Sequence, residues 1–503
     1  MTRANVARPA LDPRSSGTPV IVASGSVPVR PPARTCDTGA NLTEGPGMSS
    51  TSERWAIRHP RIVDWWAGTW RWVLLAFGAV TVIYLLLDRG AQNGPMMALV
   101  IAAFVVAAAL TSSKPLAIVL FAMPGLLIPQ RIGIGGGDLS VSDAALAAAF
   151  GTALLLGQRP YSRPLRSLLM LNLVYQFATF FTVLVNPYVA NTVEWVHAWL
   201  LVSGALIVGW AVGAAGYGRL ALSLIVFTAC ALAVLTLGQA ALQYASGNFG
   251  PAAPSWPISM HKNFVGTVFA FAAIVAYLNP DWVGWTRAWS RFAFWLLIAG
   301  VLVSQSRQAL IGLMAAVVIA VIRRTHSGRS RLLLLLLLIP AGWLIISMVV
   351  EQVQSQNQHN SVFQRLDWFR EVYHFWREAP IFGHGLRYWY QPGNLGYQPP
   401  QGELEVLASA GVVGLAAFVV MWIGILLVLW HIDPRFGTLA VAVVFCRLVQ
   451  AQFDLFWVAA QVSIPFVIAG ICLGAMAREE RSADEGIGPS AQASSRLPSG
   501  AMR

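Results

Sequence analysis

The sequence predicts an all-α fold, a polytopic membrane helix bundle of about 12–14 transmembrane helices with one large extracytoplasmic loop. Three observations carry this expectation. Of 503 residues, 56% are hydrophobic and only 11% charged, with a mean hydropathy of +0.61; a soluble chain keeps about a quarter of its residues charged. Apolar runs recur almost end to end, each close to the length a helix needs to cross a bilayer. Lys and Arg gather in short loops between the runs, so the net charge of +12 reads as a membrane orientation signal, and no nucleic-acid partner is expected.

Residues 1–65 open rich in Pro, Ser, Gly and Thr without an apolar h-region, and read as a disordered cytoplasmic tail. The membrane domain follows in two parts, 66–350 and 410–477, separated by the extracytoplasmic loop 351–409. A disordered cytoplasmic tail takes 478–503. Apolar segments fall near 71–87, 95–111, 115–130, 139–157, 165–185, 193–213, 219–242, 262–279, 292–305, 307–322, 332–350, 410–430, 436–457 and 461–477. Positive charge occupies alternate loops: Arg54, Arg58 and Arg61, then Lys114, Arg159, Arg163, Arg166, Arg219, Arg287, Arg291, Arg323, Arg324, Arg329, Arg331, Arg435 and Arg478. Both termini are therefore expected in the cytoplasm. The cysteines show no paired spacing and the histidines form no ligand pair, so neither a metal site nor a cofactor is expected.

The run 292–322 contains one charged residue, Arg307. A single helix would leave Arg291 and Arg323 on opposite sides. A hairpin at Ser304-Gln305-Ser306 puts both inside, and makes Arg307 the first residue of a helix capped by Ser306. A helix N-terminus favours anions, so Arg307 there makes an outward phosphate-type site. The alternative is an arginine that snorkels or pairs with a buried carboxylate.

In the outer loop, "SVFQRLDWFREVYHFWRE" (361–378) places Val362, Leu366, Phe369, Tyr373 and Trp376 on one face of an amphipathic helix lying at the membrane surface. Pro380 ends that helix, and Gly383 and Gly385 permit a tight turn. Its arginines, Arg365, Arg370, Arg377 and Arg387, are tolerated outside because long loops translocate regardless of charge. Its aromatic residues suit sugar stacking and an interfacial belt equally. A second outer loop ends in "SMHKNFVG", where His261 and Lys262 meet the next segment and Asn263 could cap it.

Together these pieces resemble the O-antigen ligase / Wzy polymerase family, in its exopolysaccharide-polymerase-like branch. The resemblance rests on "LSVSDAALAAAFGTALLLG" (139–157), "HKNFVG" (261–266), "SQSRQALIGL" (304–313), "RLDWFREVYHFWREAPIFGHGLRYW" (365–389) and "LEVLASAGVVGL" (404–415). It implies a multi-pass enzyme of the bacterial inner membrane that takes glycan from a polyprenyl-diphosphate-linked oligosaccharide. It would polymerise or ligate that glycan onto a glycan or lipid acceptor at the outer face, with no metal. The family's His-Asn pair before the last motif is absent; Pro400-Gln401 stands there.

Such transfer builds negative charge on a leaving diphosphate and needs a base for the acceptor hydroxyl. Arg307 is the expected diphosphate cation. Glu403, nearest the vacant histidine position, is the expected base, with His384 and His261 as further candidates and charge complement of the helix start as the alternative for Glu403. Lys262, His261, Arg365, Arg370 and Arg387 are expected to bind substrate. Two competing classes remain: a transporter or flippase for a lipid-linked or anionic solute, and a non-catalytic relative that binds the carrier lipid.

Overall fold

The computed structural model describes residues 116–134, 137–256, 258–324, 361–391, 398 and 401–484. The tail 1–65, the apolar segments 71–87, 95–111 and 332–350, and residues 351–360 and 485–503 lie outside these. Helix α1 (Ala117–Gly125) leads into a hairpin, β1 (Arg131–Ile134) and β2 (Gly137–Ser140), with Arg131 opposite Ser140 and Ile134 opposite Gly137. This corrects the expected span at 115–130. Nine helical residues reach about 14 Å at 1.5 Å each, short of a hydrocarbon core.

The hairpin delivers Ser140 to α2 (Val141–Leu156) as its N-cap. Its hydroxyl accepts from Asp143 N, and the Asp143 carboxylate accepts from Ser140 N, a capping box. Next come α3 (Arg163–Val185) and a continuous rod formed by α4 (Val189–Trp199), a π-turn (Leu200–Gly204) and α5 (Ala205–Ala214). Then follow α6 (Gly218–Ala245), α7 (Lys262–Leu278), α8 (Arg287–Ser304) and α9 (Arg307–Arg324). The next described segment holds α10 (Ser361–Glu378), followed by α11 (Gly402–His431), α12 (Pro434–Ala451) and α13 (Ala459–Asp484). Among the described residues, seven helices are long and apolar enough to cross a membrane, counting the rod 189–214 as one.

The α8–α9 hairpin forms at the expected turn, with Gln305 in the left-handed region at φ 51°. Both arms pack on α7 rather than mainly on each other. The expected caps differ. Ser306 Oγ is buried without a hydrogen-bond partner among the described residues, and His261 rather than Asn263 caps α7, its Nδ1 accepting from Asn263 N at 3.3 Å. Helix α13 continues past 477 to Asp484, α11 starts at Gly402 rather than 410, and α12 stops at Ala451, leaving 452–458 irregular. On α10 the packed face is one flank over from the expected stripe. Val372 is buried against Trp389 and Ala408, while Phe369 and Tyr373 stay exposed.

Two close backbone contacts fix the bundle. Helices α5 and α13 cross through Gly209, Gly213, Gly470 and Gly474; a Cβ on Gly209 would lie 2.1 Å from the Val467 carbonyl oxygen. Small residues at this spacing let membrane helices touch. The turn 380–385 clasps a break in α11 at Gly411 (φ 66°). His384 N and Gly385 N donate to the carbonyls of Ala408 and Ser409, and Val412 N donates to that of Pro380. A Cβ on Gly383 would fall 2.3 Å from the Ser409 carbonyl carbon. The other side of the turn is held by Asn191, whose Oδ1 accepts from Leu386 N at 2.8 Å, and by Asn186, which donates to the Gly383 carbonyl.

Candidate functional site

That clasp carries Arg387 to the start of α4, where a cavity of about 540 Å³ opens. Its charged and polar lining comes from separated parts of the chain: Arg131 on β1, Asp143 on α2, Glu194 and His197 on α4, and Arg387 with Tyr390 from the segment between α10 and α11. Trp457 and its neighbours on the irregular segment 452–458 close another wall.

The charges are arranged as a chain. His197 Nε2 lies 2.9 Å from Asp143 Oδ1, and its Nδ1 lies 3.4 Å from Glu194 Oε1. Arg387 Nη1 lies 3.5 Å from the other oxygen of Glu194, and its guanidinium sits 4.4 Å over the Tyr390 ring. Both nitrogens of His197 face carboxylates, so the ring positions the two acids and has no nitrogen left over for a substrate proton. The Glu194–His197 pair shares one helix face by its i,i+3 spacing, and the π-turn follows directly, a feature often found at functional sites. Just outside the rod, burial pushes the Tyr188 phenol up to about 12.

The wall at 452–458 is irregular backbone, whose polar groups need partners when water is excluded. Buried ionisable side chains supply them. Arg447, fully buried, donates to the Leu455 carbonyl at 2.6 Å, to the Phe456 carbonyl, and to Gln461 Oε1 at 3.0 Å. Glu405, 3% exposed, accepts from Phe456 N at 3.1 Å and from Gln398. Gln398 in turn accepts from the Tyr390 hydroxyl at 2.9 Å, so this framework reaches back to Arg387.

Arg387 is the sequence-predicted residue that lines this cavity. Arg307 begins α9 at the same end of the bundle: its neighbour Gln308 donates to Asp454 at 2.5 Å, one residue before the lining Leu455. It is not among the lining residues. Lys262 and His261 stand at the start of α7, two and three residues before the lining Phe264. Glu403 is held by two amides, accepting from Gln452 at 2.6 Å and Gln401 at 2.8 Å, in the first turn of a helix that Gln401 caps. His384 Nε2 lies 2.7 Å from the Phe375 carbonyl oxygen and the ring packs on Tyr388, which ties it into the loop's own fold. Arg370 is exposed on α10; Arg365 lies on the same helix, its side chain outside the described residues.

Asp143, Glu194, His197 and Arg131 are not evident in the sequence as a site because three of them sit inside apolar segments and the fourth directly follows one. The signal was present: an ionisable residue in such a segment is a functional candidate by default, and Glu194-x-x-His197 is a pair of them.

A multi-pass helical membrane protein with a polar, ion-paired cleft at one end of the bundle is the class that fold and site define. Residues 292–419 match the family model described as O-antigen ligase, which supports assigning the chain to the O-antigen ligase / Wzy family. With the helix content, the match supports a multi-pass membrane enzyme of surface polysaccharide assembly. The matched segment contains Arg307, Arg387, Glu403 and Glu405; Asp143, Glu194 and His197 lie outside it. No curated protein matches the chain.

Proposed function

We propose that the chain is a glycosyltransferase that moves glycan from a polyprenyl-diphosphate carrier to a hydroxyl acceptor at the outer face of the bacterial inner membrane. The observation that carries this reading is the cleft that gathers Arg131, Asp143, Glu194, His197 and Arg387. Positive charge on the alternate loops supports an outward position for that end.

The acceptor oxygen bonds to the anomeric carbon, the anomeric carbon–oxygen bond to the diphosphate breaks, and the acceptor proton passes to a carboxylate. Arg387, Arg131 and Arg307 are the cations for the charge growing on the diphosphate. Between the carboxylates of Glu194 and Glu403, position favours Glu194 as the base. Glu194 lines the cavity, and its contact with Arg387 is long at 3.5 Å. A bound diphosphate competes for that arginine and uncovers the carboxylate, while His197 and Asp143 hold its orientation. Glu403 keeps the role of complementing the start of α11. Lys262, His261, Arg365 and Arg370 serve as secondary contacts for an anionic glycan carrier.

Deleting the gene and analysing the carrier-lipid pool tests the reading. An accumulated lipid-linked oligosaccharide with loss of surface glycan is the expected result. Normal surface glycan with impaired solute uptake would instead favour the transporter.

A further inference from the structure

At the opposite end of the rod 189–214 lies a second, larger cavity of about 760 Å³. It opens between the α5–α6 turn, the loop after α7, the start of α12 and the end of α13, and Arg219, Arg435 and Arg478 line it. Two acids share the lining, Asp281 and Glu479. Arg435 is already bound to Glu479 at 2.7 Å. Arg219 and Arg478 make no side-chain hydrogen bond or ion pair among the described residues, and neither does Asp281. Once the bound pair cancels, two arginines face one carboxylate, a net charge of +1.

The cavity is shaped around these cations. Arg478 lies across the α5–α6 turn, where a Cβ on Gly216 would fall 2.0 Å from its Nη1. The indole nitrogen of Trp282 is buried without a hydrogen-bond partner among the described residues, its ring stacked on Phe436 at 5.8 Å. Leu220, 47% exposed, adds an apolar edge to the same lining. Arginines beside an aromatic and aliphatic edge, at the basic end of a helix bundle, suit a lipid whose headgroup carries one negative charge.

We propose that this cavity binds the phosphodiester headgroup of an anionic phospholipid of the cytoplasmic leaflet, with Arg219 and Arg478 on the phosphate and Leu220 beside the first carbons of the tails. The site is independent of glycan transfer. It predicts that the protein selects among bulk lipids at the face opposite its cleft.

Full-length protein in an uncharged detergent is titrated with phosphatidylglycerol or phosphatidylcholine, and bound lipid is counted by native mass spectrometry. Phosphatidylglycerol binds preferentially to the parent protein. Arg219→Gln/Arg478→Gln weakens that binding roughly 25-fold, about fivefold for each cationic contact, while Arg291→Gln, at an exposed residue outside the cavity, leaves it unchanged. Asp281→Asn removes the opposing charge and tightens binding about fivefold on the same scale. This variant keeps the test decisive if the double variant fails to fold. Equal binding of the two lipids, undiminished binding by the double variant, or unchanged binding by Asp281→Asn overturns the proposal. Displacement of the lipid by millimolar inorganic phosphate also overturns it, since that marks a free-phosphate site.

Discussion

Two arginines in apolar segments do different work, and their surroundings show which. Arg447 is fully buried and spends its donors on Gln461 and on the carbonyls of Leu455 and Phe456. Removing it leaves carbonyls unpaired in the interior, at about 1–3 kcal/mol each. Arg447→Met should therefore lower the amount of folded protein in the membrane, measured by fluorescence-detected size exclusion, before any effect on transfer is read. Arg307 sits half-buried at the head of α9, beside the segment that walls the cleft. If it serves the diphosphate, Arg307→Ala leaves membrane abundance intact and abolishes nearly all transfer. Arg307→Lys keeps part, because lysine supplies the charge without the planar fork. Low abundance for Arg307→Ala beside a normal Arg307→Lys would make it a structural partner like Arg447.

At the scale of elements, the clasp between the turn 380–385 and the break in α11 explains two glycine patterns at once. Gly383 and Gly411 both have positive φ; Gly383 faces the backbone of Ser409 and Ala410, and Gly411 that of Ile381 and Phe382, each at a distance that excludes a Cβ. Alanine at either combines a left-handed conformation costing about 1–2 kcal/mol with a backbone clash. Gly383→Ala and Gly411→Ala should each lower the melting temperature of the purified protein by several degrees. Gly238→Ala, where nothing lies within 4 Å of the added carbon, should leave it unchanged or raise it. Much of this level was legible in the sequence. The turn at Ser304-Gln305-Ser306 and the helix 361–378 follow from charge placement and periodicity. The span expected at 115–130 failed because a short apolar run does not reveal that it ends in a hairpin. The buried flank of α10 failed because its partner Trp389 lies in a distant turn.

For the whole molecule, hydropathy and charge foretold the membrane bundle but not the convergence that makes the site. Asp143 and His197 are 54 residues apart, and Asn191 and the Leu386 it holds are 195 apart; no local pattern encodes such meetings. The charge rule also makes a global prediction. With Cys36 replaced by serine and Cys230, Cys446 and Cys472 buried, Asn248→Cys at the cleft end should react with an impermeant maleimide in spheroplasts. Glu480→Cys should react only after permeabilisation. The reverse pattern would invert the protein and move the cleft to the cytoplasm. The central claim, that the cleft at the start of α4 performs the transfer, is tested most directly by glycan transfer from full-length Glu194→Gln protein, normalised to its membrane abundance. The account predicts a fall of about 10²-fold or more, the usual scale for losing a general base, with transfer by Glu403→Gln close to the parent. Near-normal transfer by an abundant Glu194→Gln protein would contradict it.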